Sequence, residues 1–266
     1  MARTKNRIKK MTFQKQNRKY EPLSENDKYI IETAGYKREL IKERLSNENI
    51  QRVARGGYDP NIFKAFFLAG GPGSGKSYVA RRTTGGLGLK IVNSDDAFET
   101  LLKKAGLSLK MPPEQEAPRD VVRGRAKELT AKRKGNYLDG RLGLVIDGTG
   151  REFDKIQRQA RQLQELGYDT YMIFVNTSLD VALQRNAERP RSVPESIVIK
   201  SWKDVQTNLG KFNNFFGGGM LIVDNNDAGE DIFTQVFKSI QKLVKRKVQN
   251  TRAKNWIAME LSKKRR

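Results

Sequence analysis

Apolar residues along this chain gather in short runs, separated by glycine-bearing turns and by segments with helical spacing. The run at residues 63–69 is rich in Phe and has the length of a buried strand. Residues 89–93, 142–146, 171–175 and 220–223 read as four further strands. Between them, Ile156, Ala160, Leu163 and Leu166 recur at helical spacing and stop at Gly167. Further helices are expected from Ser178 to about Glu188, after the Pro194 turn to about Asn208, and from about Ala228 to Val244. Strands that alternate with helices predict βαβ units, and hence an α/β fold with a mostly parallel five-stranded sheet between two layers of helices.

Residues 99–140 interrupt the alternation. They hold Met111-Pro112-Pro113 and a basic helical stretch at residues 119–134, and they read as a helical insertion over the site. Upstream, Ser24 and Asp27 mark a helix start, and the Gly56-Gly57-Tyr58-Asp59-Pro60 turn closes a helical extension over residues 21–60. The body of the fold is therefore expected at residues 61–241.

Composition narrows the chemistry. The 266 residues include no cysteine and no histidine. That excludes a disulfide framework, a thiol nucleophile, a Ser–His triad and every Cys- or His-ligated metal. Acid–base work falls to Asp, Glu, Lys or Tyr, and a metal would be a hard one such as magnesium. No apolar run approaches the roughly 20 residues of a membrane span, and no apolar stretch follows the basic start as in a signal peptide. The expectation is a soluble cytoplasmic protein without membrane contact. The formal charge is +22, and it sits mainly at the ends. Residues 1–20 carry eight basic side chains and no acid, and residues 242–266 carry ten against Glu260 alone. Two basic arms on a near-neutral body predict contact with nucleic acid or another polyanion.

The decisive motif follows the first strand. Gly70-Gly71-Pro72-Gly73-Ser74-Gly75-Lys76-Ser77, with Tyr78 next, fits G-x-x-x-x-G-K-[ST] between a buried strand and a helix. Glycines let backbone N–H groups turn inward around a phosphate chain, and the helix N-terminus adds unpaired donors and its dipole. Lys76 can bridge the β- and γ-phosphates, and Ser77 can offer its hydroxyl to magnesium. The cofactors expected are ATP and Mg2+.

Two strand ends supply acids. Asn93-Ser94-Asp95-Asp96 follows the second strand, on the side of the sheet where ligands bind. Asp95 is the candidate base for a substrate hydroxyl, and Asp96 can instead cap the next helix. Asp147-Gly148-Thr149-Gly150-Arg151 follows the third strand. Asp147 can hold magnesium through water or hold the acceptor, and Thr149 can bond either substrate. Arg185, Arg189 and Arg191 surround a helix end and a proline turn, where guanidinium groups can meet charge developing on a transferred phosphoryl group.

Together these segments resemble two groups of P-loop kinases. Gly71 to Ser77, Asn93-Ser94-Asp95-Asp96, and Arg185-Asn186-Ala187-Glu188-Arg189 with Val193-Pro194 are similar to the 5′-hydroxyl polynucleotide kinase domain. That likeness implies a P-loop kinase fold over about residues 62–224, Asp95 as base and Arg189 on the donor phosphates. Phe98 stands where those kinases carry an arginine for the acceptor's phosphate, which leaves that contact to the basic insertion. Asp147-Gly148-Thr149-Gly150-Arg151 and Asp96-Ala97-Phe98 resemble the zeta-toxin kinases, which phosphorylate a nucleotide-sugar hydroxyl. That likeness implies Asp96 as base and places Asp147, Thr149 and Arg151 toward the substrate.

The sequence thus predicts transfer of the γ-phosphate of ATP to a hydroxyl, first that of a nucleic-acid 5′ end and alternatively that of a nucleotide sugar. The rival from another class is a nucleic-acid-binding structural protein whose nucleotide site is regulatory or vestigial.

Overall fold

A computed structural model describes residues 59–110, 112–189, 193–227 and 229–263. The N-terminal arm, nearly all of the 21–60 extension, Met111 and Arg191 lie outside the described residues. Five parallel strands form one sheet: β1 (Lys64–Ala69), β2 (Lys90–Val92), β3 (Leu144–Ile146), β4 (Asp169–Asn176) and β5 (Met220–Asp224). Their order is β2-β3-β1-β4-β5. The eight described helices are α1 (Lys76–Thr84), α2 (Ser94–Lys104), α3 (Glu116–Asp139), α4 (Phe153–Glu165), α5 (Leu179–Ala187), α6 (Glu195–Phe216), α7 (Glu230–Lys245) and α8 (Thr251–Lys263). The α/β fold with a parallel five-stranded sheet is the one that the alternation predicts.

β1 is central because it is apolar on both faces. All six of its residues are buried, and the five apolar ones divide between two cores. Ala65, Phe67 and Ala69 face α4, α6 and α8 with Ala160, Phe212 and Ile257. Phe66 and Leu68 face α1 and α7 with Val79, Phe233 and Ile240. Alternation along one strand thus builds both layers. Lys64 lies fully buried in β1, its Nζ 2.9 Å from Asp169 Oδ2 at the start of β4. Burial pushes the Lys64 ammonium below the ordinary lysine range against the pull of Asp169.

The insertion is a helical pair, α2 against α3, closed by a small core of Phe98, Leu102 and Ala126. The Arg123 guanidinium lies 4.2 Å from the centre of the Phe98 ring. α6 runs two turns past the expected end, because Phe212 and Phe216 continue its buried stripe under β1 and β4.

The segment read as a C-terminal basic arm is folded along 242–263. It begins as the last turn of α7 and ends as α8; Val248 of the junction and Ala253 and Ile257 of α8 sit in the core. Trp256 meets Phe63 edge-on at 5.4 Å. Charge density had masked the apolar positions of an amphipathic helix. No described helix is long and apolar enough to cross a membrane.

Candidate active site

The parallel sheet brings every strand's carboxyl end to one edge, and the candidate residues collect there. The phosphate loop leaves β1 at Gly70, whose N–H donates to the Thr149 carbonyl at 2.9 Å. Two loop positions require glycine. A Cβ on Gly73 would lie 2.0 Å from the Ala182 carbonyl oxygen, and a Cβ on Gly75 would lie 2.4 Å from Asn225 Nδ2. Both adopt the left-handed region, at φ 80° and 76°. Gly75 ends the loop as the N-cap of α1 and has no side chain to fill the cap, so the first-turn N–H groups stay open to an anion.

Lys76 and Asp147 meet at the centre. Lys76 Nζ is 3.3 Å from Asp147 Oδ1. Asn93 links this pair to the second candidate acid. Its Nδ2 donates to Asp147 Oδ2 at 2.9 Å, and its Oδ1 accepts from the Asp95 N–H at 2.7 Å. Asn93 is therefore the N-cap of α2, the role that the sequence left open for Asp96. Asp95 and Asp96 both lie exposed on the first turn of α2. Ser74 Oγ and Asp147 Oδ1 are buried side-chain oxygens without a hydrogen-bond partner among the described residues. A carboxylate oxygen beside a phosphate loop that has the Lys76 ammonium as its ion-pair partner and no hydrogen bond fits a water-coordinated hard cation. Among the described residues no cluster of three acids forms a self-contained metal cage. Magnesium keeps several waters and leans on substrate phosphates, so one carboxylate and one hydroxyl suit it.

A cavity of about 380 Å3 opens beside this centre. One wall is the turn after β3, with Asp147, Thr149 and Gly150; Ser94 adds the start of α2. Another part of the lining is one face of α3, where Lys127, Thr130, Ala131 and Lys134 recur at i, i+3, i+4 and i+7. Lys155 also lines the cavity but pairs with Glu152 at 3.9 Å. Lys127 and Lys134 have no carboxylate partner among the described residues, and burial pushes Lys134 below the ordinary lysine range. Asp95 and Asp96 lie beside this cavity in the chain and do not line it.

The arginines divide. Arg185 donates to the Asn225 carbonyl at 2.6 Å and to the Asn226 carbonyl at 2.7 Å. Asn225 Nδ2 in turn donates to the Ser74 carbonyl at 2.7 Å. Arg185 thus braces the phosphate loop from below, through the turn after β5. Arg189 is exposed just past α5. Arg151 pairs with Asp204 of α6 at 3.5 Å, away from the cavity lining. Tyr78 lies half-exposed against Phe233.

Sequence reasoning missed Asn225, Asn226, Lys127 and Lys134 as site residues. The two asparagines follow the end of β5, so the rule that singled out Asp147 would have found them. The lysines were visible only as part of a basic helix, and their one-face spacing was the usable signal.

Residues 66–211 match the AAA domain family AAA_33, which covers more than half of the chain. The chain belongs to that family. No curated protein matches it. Among solved structures, this AAA_33 protein is similar to a candidate kinase from Chloroflexus aurantiacus, with 16% identity, 67% of this chain and 97% of that one covered, and a TM-score of 0.48. A gluconokinase from Sinorhizobium meliloti shares 15% identity over 69% of this chain and 95% of its own, at a TM-score of 0.43. The Pnkp1/Rnl/Hen1 RNA repair complex shares 22% identity over 57% of this chain and 47% of its own, at 0.44. The AAA_33 match includes the phosphate loop, both candidate acid turns and the Arg185–Arg189 segment, and stops within α6.

Proposed function

We propose that this protein is an ATP-dependent kinase that transfers the γ-phosphoryl group to the hydroxyl of an anionic acceptor. One observation carries the reading: the phosphate loop and the cavity share a wall. The Asp147–Gly150 turn binds Gly70 through Thr149 and Lys76 through Asp147, and the same turn lines the cavity. A donor in the loop and an acceptor in the cavity would meet at Asp147.

In this reading Lys76 and the loop N–H groups hold the β- and γ-phosphates. Ser77 and Asp147 would hold Mg2+, which when bound neutralises phosphate charge. Asp95 takes the hydroxyl proton as the acceptor oxygen bonds to the γ-phosphorus and the bond to ADP breaks. Asn93 supports this role, because it ties the turn that carries Asp95 and Asp96 to Asp147. Arg189 is the candidate cation for the transferred phosphoryl group, as is Arg191, which lies outside the described residues. Lys127 and Lys134, without an ion-pair partner among the described residues, favour an acceptor that carries phosphate near its hydroxyl. A nucleic-acid 5′ end is the first choice, and a nucleotide sugar also satisfies the charge.

Labelled ATP and magnesium with a 5′-hydroxyl oligonucleotide, a nucleotide sugar or an uncharged alcohol tests this directly. Label should pass to one of the two anionic acceptors. Lys76→Ala and Asp95→Asn should each lower transfer by at least about two orders of magnitude. If Asp96→Asn is the variant that loses activity while Asp95→Asn retains it, the base moves by one residue. ATP binding without transfer to any hydroxyl would reject the kinase and leave the nucleic-acid-binding rival.

A further inference from the structure

We infer that the amino-end edge of the sheet, built from the α7–α8 junction and α8, is a docking surface for the phosphate backbone of a nucleic acid. It is separate from the phosphate loop and its cavity, and the inference stands whether or not transfer is found.

The location follows from hydrogen bonds. Asp169, the first residue of β4, accepts from the N–H groups of Gln249 and Asn250 at 3.0–3.2 Å. Asn250 Nδ2 and an Arg252 guanidinium nitrogen donate to the Gln164 and Glu165 carbonyls at the end of α4. Trp256 packs on Phe63, just before β1. Residues 246–256 are thus pinned to the ends of the strands that lie opposite the phosphate loop. β1 separates the two edges by six residues, or about 20 Å at about 3.3 Å per residue.

Cations outnumber acids on this edge, where the neighbouring acids are Asp169, already paired with Lys64, and Glu165 at the end of α4. Lys245, Arg246, Lys247, Arg252 and Lys254 are all exposed, and no ion pair holds any of them among the described residues. Over residues 242–263 the only acid is Glu260, and it pairs with Lys263 at 2.8 Å. The buried stripe of α8 fixes the helix to the body, so these cations are held on a surface rather than dispersed in a tail. Like charges held this close repel, and a polyanion relieves the repulsion by releasing counterions. A membrane surface fits less well. An interfacial helix presents large apolar residues outward, whereas the large apolar residue that α8 exposes is Met259 alone.

The test is the salt dependence of binding to a fluorescent single-stranded oligonucleotide, read by anisotropy. The wild-type protein should bind with a steep log–log slope. A variant with Lys245→Gln, Arg246→Gln, Lys247→Gln and Lys254→Gln should lose at least tenfold in affinity at low salt. Its slope should be shallower by about 2–3, at about 0.7 per phosphate contact. Circular dichroism would show that the variant is folded. Single Lys→Gln variants, each lowering the slope by about 0.7, guard against its failing to fold. No binding by the wild type, an unchanged slope in the variants, or competition by anionic lipid vesicles but not by unlabelled oligonucleotide would each overturn the inference.

Discussion

At the scale of single residues, the phosphate loop is fixed by sterics and by one chain of hydrogen bonds. Gly73→Ala would set a methyl group 2.0 Å from the Ala182 carbonyl, so α5 and the loop cannot keep their present distance. The expected result is a loss of ATP binding of at least tenfold, measured by calorimetry, while far-ultraviolet circular dichroism is retained. Arg185, Asn225 and Ser74 form the supporting chain. Arg185→Ala should raise KM for ATP more than it lowers kcat, because it loosens the cradle without removing a reacting group. Arg189→Ala should do the reverse if it meets the γ-phosphate in the transition state. Lys134 supplies a pH signature. Its ammonium loses its proton at a pH below the ordinary lysine range, so its attraction for an anion is full at low pH and fades as pH rises through that depressed value. KM for an anionic acceptor should therefore rise with pH in the alkaline range. Lys134→Arg should flatten the rise, because guanidinium stays charged. A Lys134→Arg profile that coincides with wild type would remove Lys134 from acceptor binding.

At the scale of elements, the sequence was legible wherever hydrophobic period and a chemical motif agreed. β1, the phosphate loop and α1 follow directly from an apolar run, a glycine-rich motif and a helical pattern. So does the candidate-site edge of the sheet, since strand-ending acids and a parallel topology place Asp95 and Asp147 there. Two things were illegible for physical reasons. Asn93 acts through the Asp147 carboxylate and Arg185 through the Asn225 and Asn226 carbonyls, all distant in sequence, and no spacing rule reports those. α8 was read as charge because its buried positions are few and separated by cations. What fixes α8 is Asp169, which a sequence shows only as a polar residue before a strand. It pairs with buried Lys64 and accepts from the N–H groups of Gln249 and Asn250. Asp169→Ala would leave a buried ammonium unpaired and release the α7–α8 junction, and it should cost about 3–5 kcal/mol in denaturant unfolding. Lys64→Met removes the charge that needs a partner and should cost far less. Equal destabilisation by the two changes would show that the ion pair, and not the uncompensated charge, dominates.

At the scale of the molecule, the charge of +22 is concentrated toward the two ends of the chain, and in the described body the two proposed binding edges face opposite ways. The carboxyl-end edge holds two of its cations in specific contacts, Lys76 on Asp147 and Arg185 on two carbonyls. The amino-end edge leaves its cations exposed to solvent. Self-repulsion of this kind opposes the compact state and is relieved by any screening ion. Raising sodium chloride from low to physiological strength, where the Debye length falls to about 8 Å, should therefore raise the melting temperature at neutral pH. ATP with magnesium should raise it further, through binding to the folded state alone, and Lys76→Ala should abolish that second increment while leaving the first. The variant with neutralised α7–α8 cations should show the converse pattern, with a smaller response to salt and an intact response to ATP. If one substitution removed both increments, the two edges would be coupled. The stiff central strand and the separate cores on its two faces argue that they act independently.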